Sequence, residues 1–195
     1  MIQNTYKNGS SVHKSYCREF VCGLVKKSRC RRVLTLPFTN FILEKQLVDL
    51  GVEVHCVERS SSTFEVGKKN KPTQVIYKHM DIFDYVRTAK QPFDYIWFDL
   101  CSNLSNNVLS QFLSIIGHPN VQGYASFTYT MNREYTGKEI AKFYDCTLKE
   151  LRNEIFIQKL TEFAHLAGKK LKLVHQYQYQ SDSNTPMQFL TFKIN

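Results

Sequence analysis

No apolar run in this chain of 195 residues approaches the about twenty residues that a membrane-crossing helix requires. The opening stretch, MIQNTYKNGSSVHKSY, lacks the apolar segment and small-residue cleavage site of a secretory signal. The six cysteines, Cys17, Cys22, Cys30, Cys56, Cys101 and Cys146, form no C-x-x-C pair, the spacing on which zinc and dithiol sites are usually built. Cys56 falls within a predicted buried strand, and His55 beside it is directed to the opposite face of that strand. Repeats, linkers and low-complexity segments are absent. These absences lead to the expectation of a single cytoplasmic domain, residues 1–195, with reduced thiols and no metal. A composition of 43% hydrophobic and 22% charged residues is that of a soluble globular domain.

Acidic residues are scarce where basic ones are dense. The net charge is +9. Residues 1–32 carry Lys7, Lys14, Arg18, Lys26, Lys27, Arg29, Arg31 and Arg32 against the single acid Glu19. The densest part is KKSRCRR, residues 26–32. Such a cluster fits contact with nucleic-acid phosphates, or else forms the solvated face of a helix. Its Lys26, Lys27, Arg29, Arg31 and Arg32 are therefore candidates for substrate binding.

Hydrophobic periodicity organises the rest. Ser11 to about Arg29 repeats Tyr16, Phe20 and Leu24 every four residues, with Cys17 and Val21 alongside, which predicts a helix. Together residues 1–31 read as a basic, helical N-terminal extension. An alternation of strands and helices follows. Strands are predicted at Arg32–Pro37, Val52–Val57, Thr73–Lys78, Phe93–Asp99 and Gln122–Thr130. Helices are predicted at Asn40–Leu50, with Leu43, Leu47 and Leu50 inward, at Ile82–Thr88 and at Leu104–Ile116, with a short helix or polar loop over Ser60–Asn70. Residues 131–146 break the rhythm as an insertion. Thr147-Leu-Lys-Glu150 is a capping box that starts a helix to about Ala167, with Leu148, Leu151, Ile155 and Phe163 inward. Lys170–Gln180 and Met187–Ile194 then form an antiparallel hairpin. This order predicts an α/β fold: a Rossmann-like, mostly parallel seven-stranded sheet with an antiparallel C-terminal strand and helices on both faces.

In such a sheet ligands bind beyond the carboxyl ends of the strands, near the point where strand order reverses. The first of those turns is VLTLPFTNF, Val33 to Phe41, and it contains no glycine. Three later strand ends each carry an acid: Glu58, Asp81 and Asp99. An acid ending the second strand can accept from both hydroxyls of a ribose. One after the third can accept from the exocyclic amine of adenine, with Met80 or Ile82 against the ring. One ending the fourth can orient or deprotonate an acceptor. Each of them can equally cap the helix that follows it.

This layout resembles the class I S-adenosylmethionine-dependent methyltransferases over about residues 32–194, most nearly the small methyltransferase-like proteins of phages and other viruses. A viral origin would place the chain in the host cytoplasm. Glu58 in VEVHCVERS looks like that family's ribose acid, Asp81 in KHMDIF like its adenine acid, and Asp99 in FDYIWFDLCSN falls on its motif after strand four. The resemblance implies S-adenosylmethionine as cofactor, held by Pro37, Phe38, Thr39, Asn40, Glu58, Arg59, Met80, Asp81 and Ile82. It implies catalytic roles for Asp99, Cys101 and Asn103. The chain departs from the family in two places. VLTLPFTNF lacks the family's G-x-G-x-G, so Asn40 is expected to take any left-handed conformation and Thr39 or Asn40 to cap the helix. DLCSN lacks the base-stacking aromatic of the amino-methylating nucleic-acid enzymes.

Cys101 is either a nucleophile activated at a helix N-terminus or a small buried side chain. Arg133 and Tyr135, in the insertion, can neutralise and stack on a single-stranded nucleic acid. His55, His79, His118 and His165 show no triad spacing. Two functions stay open: a methyltransferase acting on nucleic acid, DNA or RNA, and a non-catalytic methyltransferase-like module that binds nucleic acid or protein.

Overall fold

The structure is a computed structural model that describes residues 12–103, 105–130, 141–142, 145–147, 150–181 and 185–195. The first described helix, α1 (Val12–Ser28), precedes five strands and their helices: β1 (Arg32–Thr35), α2 (Ile42–Asp49), β2 (Glu53–Glu58), α3 (Ser61–Asn70), β3 (Ile76–His79), α4 (Ile82–Thr88), β4 (Phe93–Asn103), α5 (Asn106–Ile116) and β5 (Val121–Thr130). A π-helical turn, Leu151–Ile155, leads into α6 (Phe156–Leu166), and β6 (Leu171–Gln180) and β7 (Pro186–Ile194) close the chain. The strands form one seven-stranded sheet in the order β3-β2-β1-β4-β5-β7-β6. β1 to β5 pair in parallel, and β7 lies antiparallel to both β5 and β6. The predicted fold class is the observed one, hairpin included.

Both faces of the sheet are covered at its centre, which is why the central strands are apolar almost without interruption. Val33, Val54, Cys56, Tyr95, Trp97 and Phe189 face one side, where Cys17, Val21 and Val25 of α1 and Leu43 and Leu47 of α2 cover them. Leu34, Val57, Ile96, Phe98, Phe127, Leu190 and Phe192 face the other, under α4, α5 and α6. The N-terminal helix is thus part of one core layer. The side it buries is Lys14, Cys17, Arg18, Val21 and Val25. Of the expected stripe, Tyr16 is 42% exposed and lies on the ring of Tyr177, while Phe20 stacks on His175.

The structure moves three boundaries. β4 does not end at Asp99: beyond an irregularity in pairing, Ser102 and Asn103 continue the ladder against Tyr129 and Thr130 of β5. Leu50 is not core, because it sits at the end of α2, where Gly51 at φ 74° turns the chain out of the helix. The capping box forms as predicted, with Thr147 N–H donating to Glu150 at 2.7 Å and Glu150 N–H to Thr147 Oγ1 at 3.2 Å. Leu151 is buried and Ile155 packs on the core as expected, but α6 itself buries Phe156, Leu160 and Ala164, and Phe163 is exposed. The wider π turn inserts an extra residue and rotates the stripe counted from Leu151. Leu148 and most of the 131–146 insertion, including Arg133 and Tyr135, lie outside the described residues.

His175 shows one cost of this packing. Its ring stacks on Phe20 with centroids 4.0 Å apart, and its Nε2 is buried without a hydrogen-bond partner. Burial lowers its pKa below the ordinary imidazole value. Below about pH 6.5 the unfolded chain therefore binds more protons than the folded one, so stability falls as pH drops through that range. Thermal melts between pH 5.5 and 7.5 should show a higher Tm at the upper end, and His175→Phe should flatten that dependence.

Candidate functional site

Strand order reverses between β1 and β4, where their following connections diverge to opposite faces and leave a crevice. A cavity of about 480 Å³ occupies this position, within the usual range for small-molecule sites. Among the residues proposed from sequence, Pro37, Phe38, Asn40, Glu58, Arg59, Met80, Asp81, Ile82 and Asp99 all line it. Thr39 does not; its carbonyl accepts a hydrogen bond from Asn70 at 3.1 Å. The acids lie in sequence along the sheet edge, Asp81 after β3, Glu58 at the end of β2 and Asp99 on β4. From β3 to β4 is three strand spacings, about 14 Å.

Each of the first two acids has a local duty as well. Asp81 caps α4, accepting from Phe83 N–H at 2.8 Å, and Glu58 accepts from Ser60 N–H at 2.7 Å. Capping fixes the carboxylates in place at the cavity wall and does not remove them from it.

The glycine-less turn is built differently from the expectation. Phe41, and not Asn40, takes the left-handed conformation, at φ 52° and ψ 42°, and it starts α2 without a side-chain cap. A hydrogen bond of 3.1 Å from Phe41 N–H to the Phe38 carbonyl closes the turn. Left-handed backbone is costly for a bulky side chain. Here the cost is offset by burial, since the Phe41 ring is fully enclosed and meets Tyr77 edge-on at 5.2 Å. Anchoring Phe41 in the core leaves Phe38, 46% exposed, at the rim. The cavity is thus kept open without glycine.

Three charged residues that sequence reading overlooked complete the wall: Lys14, Arg18 and Glu44. Lys14 and Arg18 are four apart on α1, in line with Val21 and Val25, so a charge stands where the core stripe reaches the sheet edge. That pattern was the available signal. Lys14 Nζ meets Asp99 Oδ2 at 2.5 Å and lies 5.5 Å from the centre of the Trp97 ring. Glu44 is buried and accepts from Thr35 Oγ1 at 2.7 Å. Burial pushes its carboxyl above the usual range, while Thr35 and the charge of Arg18 pull it back. Burial likewise lowers the pKa of Arg18, and Asp99 and Glu44 oppose that shift.

Cys101 and Asn103 are on the extended β4, and α5 begins only at Asn106 with Ser105 as its cap. Burial pushes the Cys22 and Cys30 thiols up to about 11, away from nucleophilic thiolate. Lys26, Lys27, Arg29, Arg31 and Arg32 gather at the amino ends of the strands, the edge opposite the cavity, because α1 runs antiparallel to β1. Lys26 is about 18 Å along the helix from Lys14. Arg32 pairs with Glu53 at 3.0 Å and lies over the Phe93 ring. Among the described residues no cluster of metal-ligating side chains occurs.

Similarity to solved structures follows the same geometry. The chain is similar to Trm1 from Pyrococcus horikoshii, solved with S-adenosyl-L-methionine, with a TM-score of 0.65 and 13% identity over 90% of this chain and 54% of that one. It is similar to the N-methyltransferase NodS from Bradyrhizobium japonicum, in complex with S-adenosyl-L-homocysteine (TM-score 0.57, 11% identity, 94% and 88% covered). It is also similar to the methyltransferase domain of bacterial CtHen1 (0.58, 17%, 90% and 96%). The chain shares the fold of these solved methyltransferases. No family model and no curated protein matches the sequence. The chain spans little more than half the length of Trm1. Within this methyltransferase fold, the cavity stands at the switch point, and VLTLPFTNF is the turn beside it.

The account of Phe41 makes an unusual ordering testable. Phe41→Ala should destabilise the domain by about 3 kcal/mol or more through lost packing. Phe41→Gly, although smaller, should be less damaging by about 1 kcal/mol, because glycine adopts the left-handed backbone freely. Urea unfolding of the two variants measures the order; alanine at least as stable as glycine would contradict it.

Proposed function

We propose that the protein is an S-adenosylmethionine-dependent methyltransferase acting on nucleic acid. The observation that carries this reading is the alignment of Asp81, Glu58 and Asp99 along one cavity at the switch point. The cavity is large enough for an adenosine joined to an amino acid, and its donor set suits one. Glu58 would accept from the ribose hydroxyls. Asp81 would accept from the adenine amine, with Met80 and Ile82 against the ring. When bound, the cofactor supplies an electrophilic methyl group, whose transfer depends mainly on positioning. The chain's own contribution is to enclose the nucleoside, exclude water and hold the acceptor near Asp99.

The missing glycines favour the alternative of a non-catalytic relative. Phe41 answers part of that objection, since its ring is buried in the core and not in the cavity. Calorimetric titration with S-adenosylmethionine or S-adenosylhomocysteine should show binding that Glu58→Ala weakens about tenfold or more, the loss expected for hydrogen bonds to a charged group. Absence of heat up to millimolar ligand would sink the enzyme reading.

Support for a nucleic-acid substrate comes from the charge of +9 and from the basic residues 26–32. Because that cluster is remote from the cavity, the polymer would have to extend around the domain from one sheet edge to the other. Binding to a single-stranded oligonucleotide should then weaken steeply with salt, and neutralising Lys26, Lys27, Arg29 and Arg31 should flatten the slope. Affinity independent of salt would remove the polyanion from the proposal.

A further inference from the structure

The cavity ends unevenly. At the β3 side, its polar wall is the acid Asp81. At the β4 side, Lys14, Arg18, Asp99 and Glu44 meet, two cations from α1 against two carboxyls from β4 and α2. Neither cation belongs to the β-α units that make the rest of the site. Both are delivered by a helix that precedes the first strand. A nucleoside has no use for this many charges, but the zwitterionic end of an amino acid does.

We infer that Lys14 and Arg18 bind the carboxylate of the cofactor's amino-acid end and that Asp99 takes its ammonium, so that side chains of α1 and β4 do what a glycine-rich turn does elsewhere with its backbone. This rests on the cofactor reading above and assigns the specificity of its far end. Several observations support it. Asp81 and Asp99 lie three strands apart, about 14 Å, a span suited to an extended nucleoside and amino acid. Phe41 is rigidly buried, so the turn at Pro37–Asn40 has no glycine through which backbone could close on the ligand. Lys14 and Asp99 are already in contact, at 2.5 Å, and the incoming zwitterion offers each of them an opposite charge in exchange for the other. Arg18, whose planar fork matches a carboxylate, is held near by the charges of Asp99 and Glu44.

The test compares two ligands. S-adenosylhomocysteine carries the amino-acid end, and 5′-methylthioadenosine lacks it. Titration of the whole chain should show at least tenfold preference for the former. Arg18→Met and the paired change Lys14→Met with Asp99→Asn should each lower affinity for S-adenosylhomocysteine about tenfold or more. Both should leave 5′-methylthioadenosine binding unchanged, which also reports that the variants are folded. Arg18→Lys, which keeps the charge, should restore part of the loss. Equal loss for both ligands, or no loss for S-adenosylhomocysteine, would overturn the inference while leaving the cofactor reading in place. Failure of the parent protein to bind either ligand would instead overturn the cofactor reading, and this inference with it.

Discussion

A charge brought next to an apolar core must be met by an opposite charge or give up its ionised form. The contact between Lys14 and Asp99 is where this protein obeys that rule, and the site is arranged around it. Asp99 follows Tyr95 and Trp97 on the face of β4 that α1 covers. An unpaired carboxylate there would be costly. Lys14 answers it from the first turn of α1, and the apolar residues farther along that helix dock it on the sheet. One helical turn deeper, Arg18 and Glu44 line the same end of the cavity and feel each other's charge. The N-terminal helix therefore supplies core packing and site chemistry at once, and loss of its docking would alter both.

A second constraint acts through Phe41. The chain has to leave β1 and enter α2 in a tight turn beside the cavity. Glycine would meet that need through backbone freedom. Here a buried aromatic ring meets it through packing, with the left-handed residue displaced to the end of the turn. The consequence is functional. A turn anchored in this way presents Pro37, Phe38 and Asn40 to the cavity as side chains, and the polar contacts at that end must come from neighbours. Lys14, Arg18 and Asp99 are the neighbours in reach. The missing glycines and the charged helix are two aspects of one arrangement.

The basic cluster at residues 26–32 obeys a different logic. It stands at the amino ends of the strands, where Arg32 is already engaged by Glu53 and the Phe93 ring. Its separation from the cavity follows from the direction of α1. A helix that delivers Lys14 to the carboxyl edge of the sheet necessarily delivers Lys26 and Lys27 to the other edge. Charge density alone could not distinguish the two edges, since both ends of the helix are basic.

The sequence by itself determined the α/β class, the helix and strand order, the terminal hairpin and the three acids of the cavity. Those properties are local: period-two and helical patterns, a capping box, and the rule that residues just beyond parallel strands face a shared crevice. The sequence pattern left two apolar stripes of α1 open, set Phe163 of α6 inward and ended β4 too early. In α1 several apolar stripes compete, and the choice depends on which residues the sheet offers; in α6 a π turn shifts the register; in β4 pairing with β5 carries the strand on past Asp99. Only the tertiary structure decided that Phe41 carries the left-handed turn, because that requires the pocket that encloses its ring. Only it brought Lys14 and Arg18 to Asp99 and Glu44. Those pairs are separated by tens of residues, and their meeting is set by how α1 lies across the sheet.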